Sequence, residues 1–354
     1  MAGPSTLTTR GVTIAALLIA LGRPDWWLLA LAGFLARGGI VVFVLAIVSV
    51  PSPLVLSNIL APLVTPLAFG TLLPQTAVLI VLGVGLALFW LIAGGWFAAA
   101  TEIALIREAQ DSADDEGLPA AGAVPAGRLL ALRAAVVHLV AHVPTALVLG
   151  AGSVAIVRVI YAELVNPSDS GPIALRVVGG AALPLGAIVA AWVFGELVGG
   201  LAVRRIVLDG ASIRGGFLDG VGDLGRRPIG SLVMPLVAML VLAVDLGAVL
   251  ATVAIVLGQV RDRLTGGSDD PVGTGLTVAT LGAAWSLALV VTGLIAAWRS
   301  AALTFEFQRE AAARRWAART VAGGRQDPDE SGTIGAGTDR RPGDRSVRDP
   351  DGRL

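Results

Sequence analysis

The sequence predicts an all-α polytopic membrane protein, with six transmembrane helices in three repeated units of interfacial helix plus hairpin. Three observations lead there. Of 354 residues, 55% are hydrophobic and 15% charged, whereas a soluble domain carries about 25% charged residues. The apolar residues fall in runs nearly free of charge, and about 20 such residues cross the roughly 30 Å of bilayer hydrocarbon. An arginine-to-proline interval also recurs ahead of the membrane hairpins.

Net charge is zero and cysteine is absent. This composition excludes a disordered chain, a nucleic-acid binder and a disulfide-stapled module. All positive residues are arginine, and glycine numbers 45. In water so much glycine weakens helices; in lipid it lets helix backbones approach closely.

The spans are expected at Asp25–Val50, Gln75–Ile106, Pro144–Val165, Ile173–Val203, Ile229–Leu257 and Thr274–Phe305. Several exceed 25 residues, so tilt or extension past the bilayer is expected. The stretch Pro51–Pro74 is apolar, but its prolines prevent one continuous helix. It is placed on the outer surface, where it either lies flat or dips in as a re-entrant segment.

Arginine placement gives the orientation. Arg10, Arg23, Arg107, Arg128, Arg133, Arg204, Arg205, Arg214, Arg226, Arg227 and the cluster from Arg299 onward fall on one side. Arg158, Arg176, Arg261 and Arg263 fall on the other. Both termini are therefore expected in the cytoplasm of a multi-pass plasma-membrane protein. The run Val12–Leu21 after Arg10 could also be read as a signal peptide, but the repeat accounts for it better.

Arg10 to Pro24 and Arg214 to Pro228 share a spacing of 14, and a looser copy runs from Arg128 to Pro144. In each case a segment too short to span precedes a proline that opens a hairpin. Proline suits a first helical position because its missing N–H would lack a partner there. The short segments are expected as helices in the cytoplasmic interface. The resulting units are 1–127, with an acidic cytoplasmic loop at Asp111–Glu116; 128–210; and 211–322, with a juxtamembrane arginine helix drawn to anionic lipid. A tail, 323–354, cannot bury a core and should be disordered.

The motifs Leu21-Gly22-Arg23-Pro24, Leu224-Gly225-Arg226-Arg227-Pro228 and Gly199-Gly200-Leu201-Ala202 carry a resemblance. The layout resembles uncharacterised six-span bacterial and archaeal membrane proteins. It is similar to the membrane domain of some glycerophosphoryl diester phosphodiesterases. The chain has no room for their soluble catalytic barrel, so the resemblance implies an accessory or scaffold role and no catalytic residues.

Ionisable groups inside spans are costly, which makes them functional candidates. Four stand out: Arg37, Arg158, Glu196 and Asp245. At 1.5 Å per residue, Arg37 and Arg158 sit roughly 20 Å along their helices and Asp245 roughly 25 Å. An ion pair of Asp245 with Arg37 or Arg158 is the simplest arrangement, since a lone buried charge is far more expensive. Glu163 offers Arg158 another partner. Glu196 lies between Gly195 and Gly199, which form a small-residue stripe for close helix packing. Convergence of the four on a water-accessible cavity would favour transport; separate dry contacts would favour structural staples. Glu102, Arg107, Arg299 and Glu306 read as interface anchors, as do Trp26, Trp27 and Trp316.

His138 and His142 share a helix face, as a metal pair would need. No acidic residue stands within one turn as a third ligand, so the pair reads as the polar side of an interfacial helix. There is no HExxH, no Gly-x-Ser-x-Gly elbow and, without lysine, no Walker loop. No catalytic residue, cofactor or metal is assigned. The leading expectation is a non-catalytic membrane scaffold or accessory protein. The alternative is a small-solute or lipid transporter using the intramembrane charges. Partners are the lipid bilayer and either an oligomer or another membrane protein, with no nucleic acid.

Overall fold

The computed structural model describes residues 8–41, 43–44, 73–115, 128–166, 168, 173–226, 228–265 and 270–323. The Pro51–Pro74 stretch and the 323–354 tail therefore lie almost wholly outside the described residues. The chain divides into two units, Met1–Ala311 and Ala312–Leu354. Within the second, the described residues continue the last helix to Gly323.

The described residues are helical, in the order α1 (Thr9–Gly22), α2 (Pro24–Phe34) with a π-turn at Leu35–Gly39, α3 (Pro74–Asp115), α4 (Arg128–Ala141), α5 (Val143–Val165), α6 (Ile173–Gly180), α7 (Ala182–Leu208), α8 (Ile213–Arg226), α9 (Pro228–Thr265) and α10 (Pro271–Gly323). Five helices are long and apolar enough to cross a membrane, or up to six if the bent pair Thr9–Gly22 and Pro24–Gly39 counts as one span. The protein is thus an all-α polytopic membrane protein. The bend within that pair is 99°.

Helices α1, α4 and α8 are each 14 residues long, and each precedes a helix with proline in its first turn. They are docked segments. α1 buries Val12, Ala16 and Ala20, at i, i+4 and i+8, against α3, α9 and α10. The Trp298 indole N–H fixes it by donating to the Thr13 carbonyl at 3.2 Å. α4 buries Leu130, Ala134 and Val137 between α3 and α7. The Arg133 guanidinium at its middle donates to the Ala211 carbonyl. α8 lies on α7, where a Cβ on Gly216 or Gly220 would come within 3.1 or 3.2 Å of an α7 carbonyl oxygen. That tight approach places Asp223 to accept from Arg205 at 2.8 Å.

Long helices run past any bilayer. α3 has 42 residues, about 63 Å at 1.5 Å per residue. Its middle exposes Val81, Leu82, Val84, Leu86 and Phe89, while its later part buries Ala98, Ile103, Ile106, Ala109 and Ala113. The first stretch is exposed and apolar, as a span needs to be, and the second is packed in protein.

Several expectations need correction. The acidic run at Asp111 to Asp115 is the last turn of α3 rather than loop. The fourth span is interrupted, as α6 and α7 meet at Ala181. Trp26 is no headgroup anchor but a core residue 1% exposed. The last has a plain cause: helices that pack on each other bury residues that a lone span would give to the interface.

Candidate functional site

The site begins with a break in a helix. After Phe34 the α2 backbone widens into a π-turn, and Gly38 takes φ 114°, a conformation readily available only to glycine. The turn lies against α3 at Gly94, where a Cβ would stand 2.5 Å from the Ala36 carbonyl oxygen. The break presents Arg37, Gly38 and Gly39 to a cavity of about 370 Å³.

The other walls come from α3, α4, α7, α9 and α10. α7 supplies Glu196, Gly200 and Arg204, spaced by four so that they share one face. α3 supplies Glu102, α4 supplies His138, and α10 supplies Arg299 and Ser300; Leu242 and Leu246 of α9 add an apolar side.

The charges form a linked set. Arg204, 1% exposed, donates to Glu102 Oε1 at 3.1 Å, to the Ser300 carbonyl at 3.0 Å and to the Gly200 carbonyl at 3.0 Å. Ser300 Oγ donates to the same Glu102 oxygen at 3.2 Å. Arg37 approaches Glu102 Oε2 only to 3.9 Å. Arg299 donates to Glu196 Oε2. The other oxygen of Glu196, Oε1, faces His142 Nε2 at 3.5 Å and His138 Nε2 at 3.8 Å. Both cavity carboxylates, Glu102 and Glu196, thus have at least one arginine, as the cost of burying an unpaired charge demands.

The two histidines lie outside the spans and behave oppositely. Burial, reinforced by the Arg37 charge, holds the His138 pKa well below that of an ordinary imidazole. For His142 burial acts in the same sense, but the hydrogen bond and charge of Glu196 outweigh it and raise the pKa. His142 Nδ1–H donates to the His138 carbonyl at 2.9 Å, which turns Nε2 toward Glu196.

The glycine stripe of α7 receives these rings. A Cβ on Gly195 would meet His142 Cδ2 at 2.9 Å, and one on Gly199 would meet His138 Nδ1 at 2.7 Å. The sequence marks this stripe as a helix-packing surface, and the structure shows that imidazoles occupy it.

Of the four intramembrane candidates, Arg37 and Glu196 line the cavity and Arg158 and Asp245 do not. The expected ion pair of Asp245 with Arg37 or Arg158 is not formed among the described residues. Asp245 accepts from the Thr292 hydroxyl at 2.9 Å, while Arg37 lies by Glu102. Arg158 is exposed, and Glu163 pairs with Arg176 at 2.9 Å instead. Helix depth alone gave Asp245 and the arginines a common level; helix rotation and neighbour order separate them.

Sequence reasoning missed Glu102, Arg204, Arg299 and Ser300 as site residues. A signal existed for Glu102. The apolar positions Ile103, Ile106, Ala109 and Ala113 recur at helical spacing beyond it, so the packed surface does not end there. His138 and His142 were noted, but their acidic neighbour comes from another helix. No family model, curated protein or solved structure matches this chain.

Proposed function

We propose that the chain is a transporter that takes a small anionic solute, or the anionic headgroup of a lipid, into the central cavity. The observation that carries this reading is the broken helix. Discontinuous helices that open onto a polar cavity are how membrane transporters expose backbone and charge to cargo. Here the break delivers Arg37, which makes no hydrogen bond among the described residues.

Charge count supports an anion. Arg37, Arg204 and Arg299 face Glu102 and Glu196, leaving one positive charge in excess when His138 is neutral. The orientation assumed is plasma membrane with both termini cytoplasmic. Three units of short helix plus hairpin fit that orientation, with the cavity toward the cytoplasmic ends. A non-catalytic scaffold would need no guanidinium turned into a cavity by a helix break.

The test uses the full chain in detergent, with Trp192 at the cavity wall as fluorescent reporter. Inorganic phosphate and short-chain phosphatidylglycerol are titrated separately, with phosphatidylcholine as control. Saturable binding of either anion, weakened about tenfold or more in Arg37→Gln, is expected, since one charge-assisted hydrogen bond contributes about 1.5–3 kcal/mol. Phosphate binding points to a free solute, and phosphatidylglycerol binding without phosphate binding points to a lipid. Binding of neither, or equal binding by Arg37→Gln, overturns the reading.

A further inference from the structure

We propose that His138, His142 and Glu196 form a binding site for a divalent transition-metal ion of the zinc type, independent of the anion reading. The three residues each offer one ligand atom, and these atoms all lie within 4.8 Å of one another. Two histidine nitrogens and one carboxylate oxygen form a donor set suited to zinc, usually with a fourth position left open.

Distances favour the assignment. Ligands about 2.1 Å from a tetrahedral ion stand about 3.4 Å apart. Glu196 Oε1 is 3.5 Å from His142 Nε2 and 3.8 Å from His138 Nε2, so closing around an ion takes only small side-chain adjustments.

Orientation favours it as well. Metal-binding imidazoles commonly donate their second N–H to a backbone carbonyl, which fixes the tautomer. His142 does so through Nδ1 to the His138 carbonyl, leaving Nε2 as the ligand atom. Arg299 occupies Glu196 Oε2 and so holds Oε1 toward the imidazoles. Gly195 and Gly199 let both rings lie close against α7, where any side chain would collide with them. His138 and Glu196 also line the cavity, which brings the site to its wall.

The opposing effect is repulsion from Arg299 and Arg37. It acts alike on every divalent ion, and the two imidazole donors select zinc or copper over magnesium or calcium, which prefer all-oxygen sites.

The experiment uses untagged, full-length protein in detergent, stripped with chelator and kept in phosphate-free buffer. Cobalt(II) is titrated first, followed by zinc. The expected result is one equivalent of cobalt with intense four-coordinate visible bands that zinc abolishes. Affinity should fall at least tenfold in His142→Gln and in Glu196→Gln. Arg37→Gln should still bind cobalt, which separates this result from the fate of the anion reading. The chain has only two histidines, so the wild type supplies a check that needs no variant. Zinc should protect both from diethyl pyrocarbonate, read by mass spectrometry. Failure of the wild type to bind cobalt, unprotected histidines under zinc, or unchanged affinity in His142→Gln overturns the proposal.

Discussion

Two regions of the bundle bury charge in opposite ways. Around the cavity, Glu102, Glu196, Arg204 and Arg299 are held by one another, and each helix contributes a charge that another helix answers. Farther along α9 and α10, Asp245 has one partner among the described residues, the Thr292 hydroxyl. Its surroundings are apolar. Val249, Val253 and Leu257 pack with Phe43 and Ala288, and Trp285 meets Phe43 edge-on at 6.3 Å. The first region depends on its charges, because removing one leaves another buried and unpaired. The second tolerates loss of its charge, because a hydroxyl donor serves a neutral acceptor almost as well.

This contrast can be broken by mutation, starting where the effect should be largest. Arg204→Met removes the guanidinium that holds Glu102, so thermal and denaturant unfolding in micelles should show a loss of about 3–5 kcal/mol, as for other broken buried pairs. A loss under about 1 kcal/mol would mean that the cavity charges do not support the fold. Gly199→Ala should cost about 1–3 kcal/mol by overpacking, since its Cβ meets His138. Adding His138→Ala should recover much of that loss in the double mutant. If it does not, the glycine is needed for some other contact.

Asp245→Asn keeps an oxygen for Thr292 and should change stability by less than about 1 kcal/mol. A cost equal to that of Arg204→Met would erase the distinction between the two regions. Arg158→Gln, on an exposed side chain, should leave Tm unmoved. A clear drop in Tm would reveal a partner for Arg158.

Much of the fold is legible along the chain because hydropathy is a local property. The proline-led helices, the 14-residue segments before them and the polytopic class all follow from residue order. The break at Leu35–Gly39 was not legible. Arg37-Gly38-Gly39 reads as one charge and two small residues in an apolar span, and only the neighbouring α3 shows that Gly94 leaves room for the Ala36 carbonyl of the widened backbone. The span ends were misjudged for a related reason. Glu102 and Arg299 look like anchors when each helix is taken alone, yet they are cavity residues once α3, α7 and α10 are side by side.

By itself the sequence determined that this is a helical membrane protein, which segments are long enough to span, and that Arg37, Arg158, Glu196 and Asp245 are costly charges for their settings. Those conclusions rest on periodicity and on the cost of transferring each residue into lipid, both properties of short stretches. Only the tertiary structure decided which charges meet. Glu196 joins His138, His142 and Arg299, Glu102 joins Arg204, and Asp245 meets Thr292. Such pairings depend on helix order, rotation and depth together. Coulomb energy selects partners by distance in space, and residues a hundred positions apart in sequence come within 4 Å there.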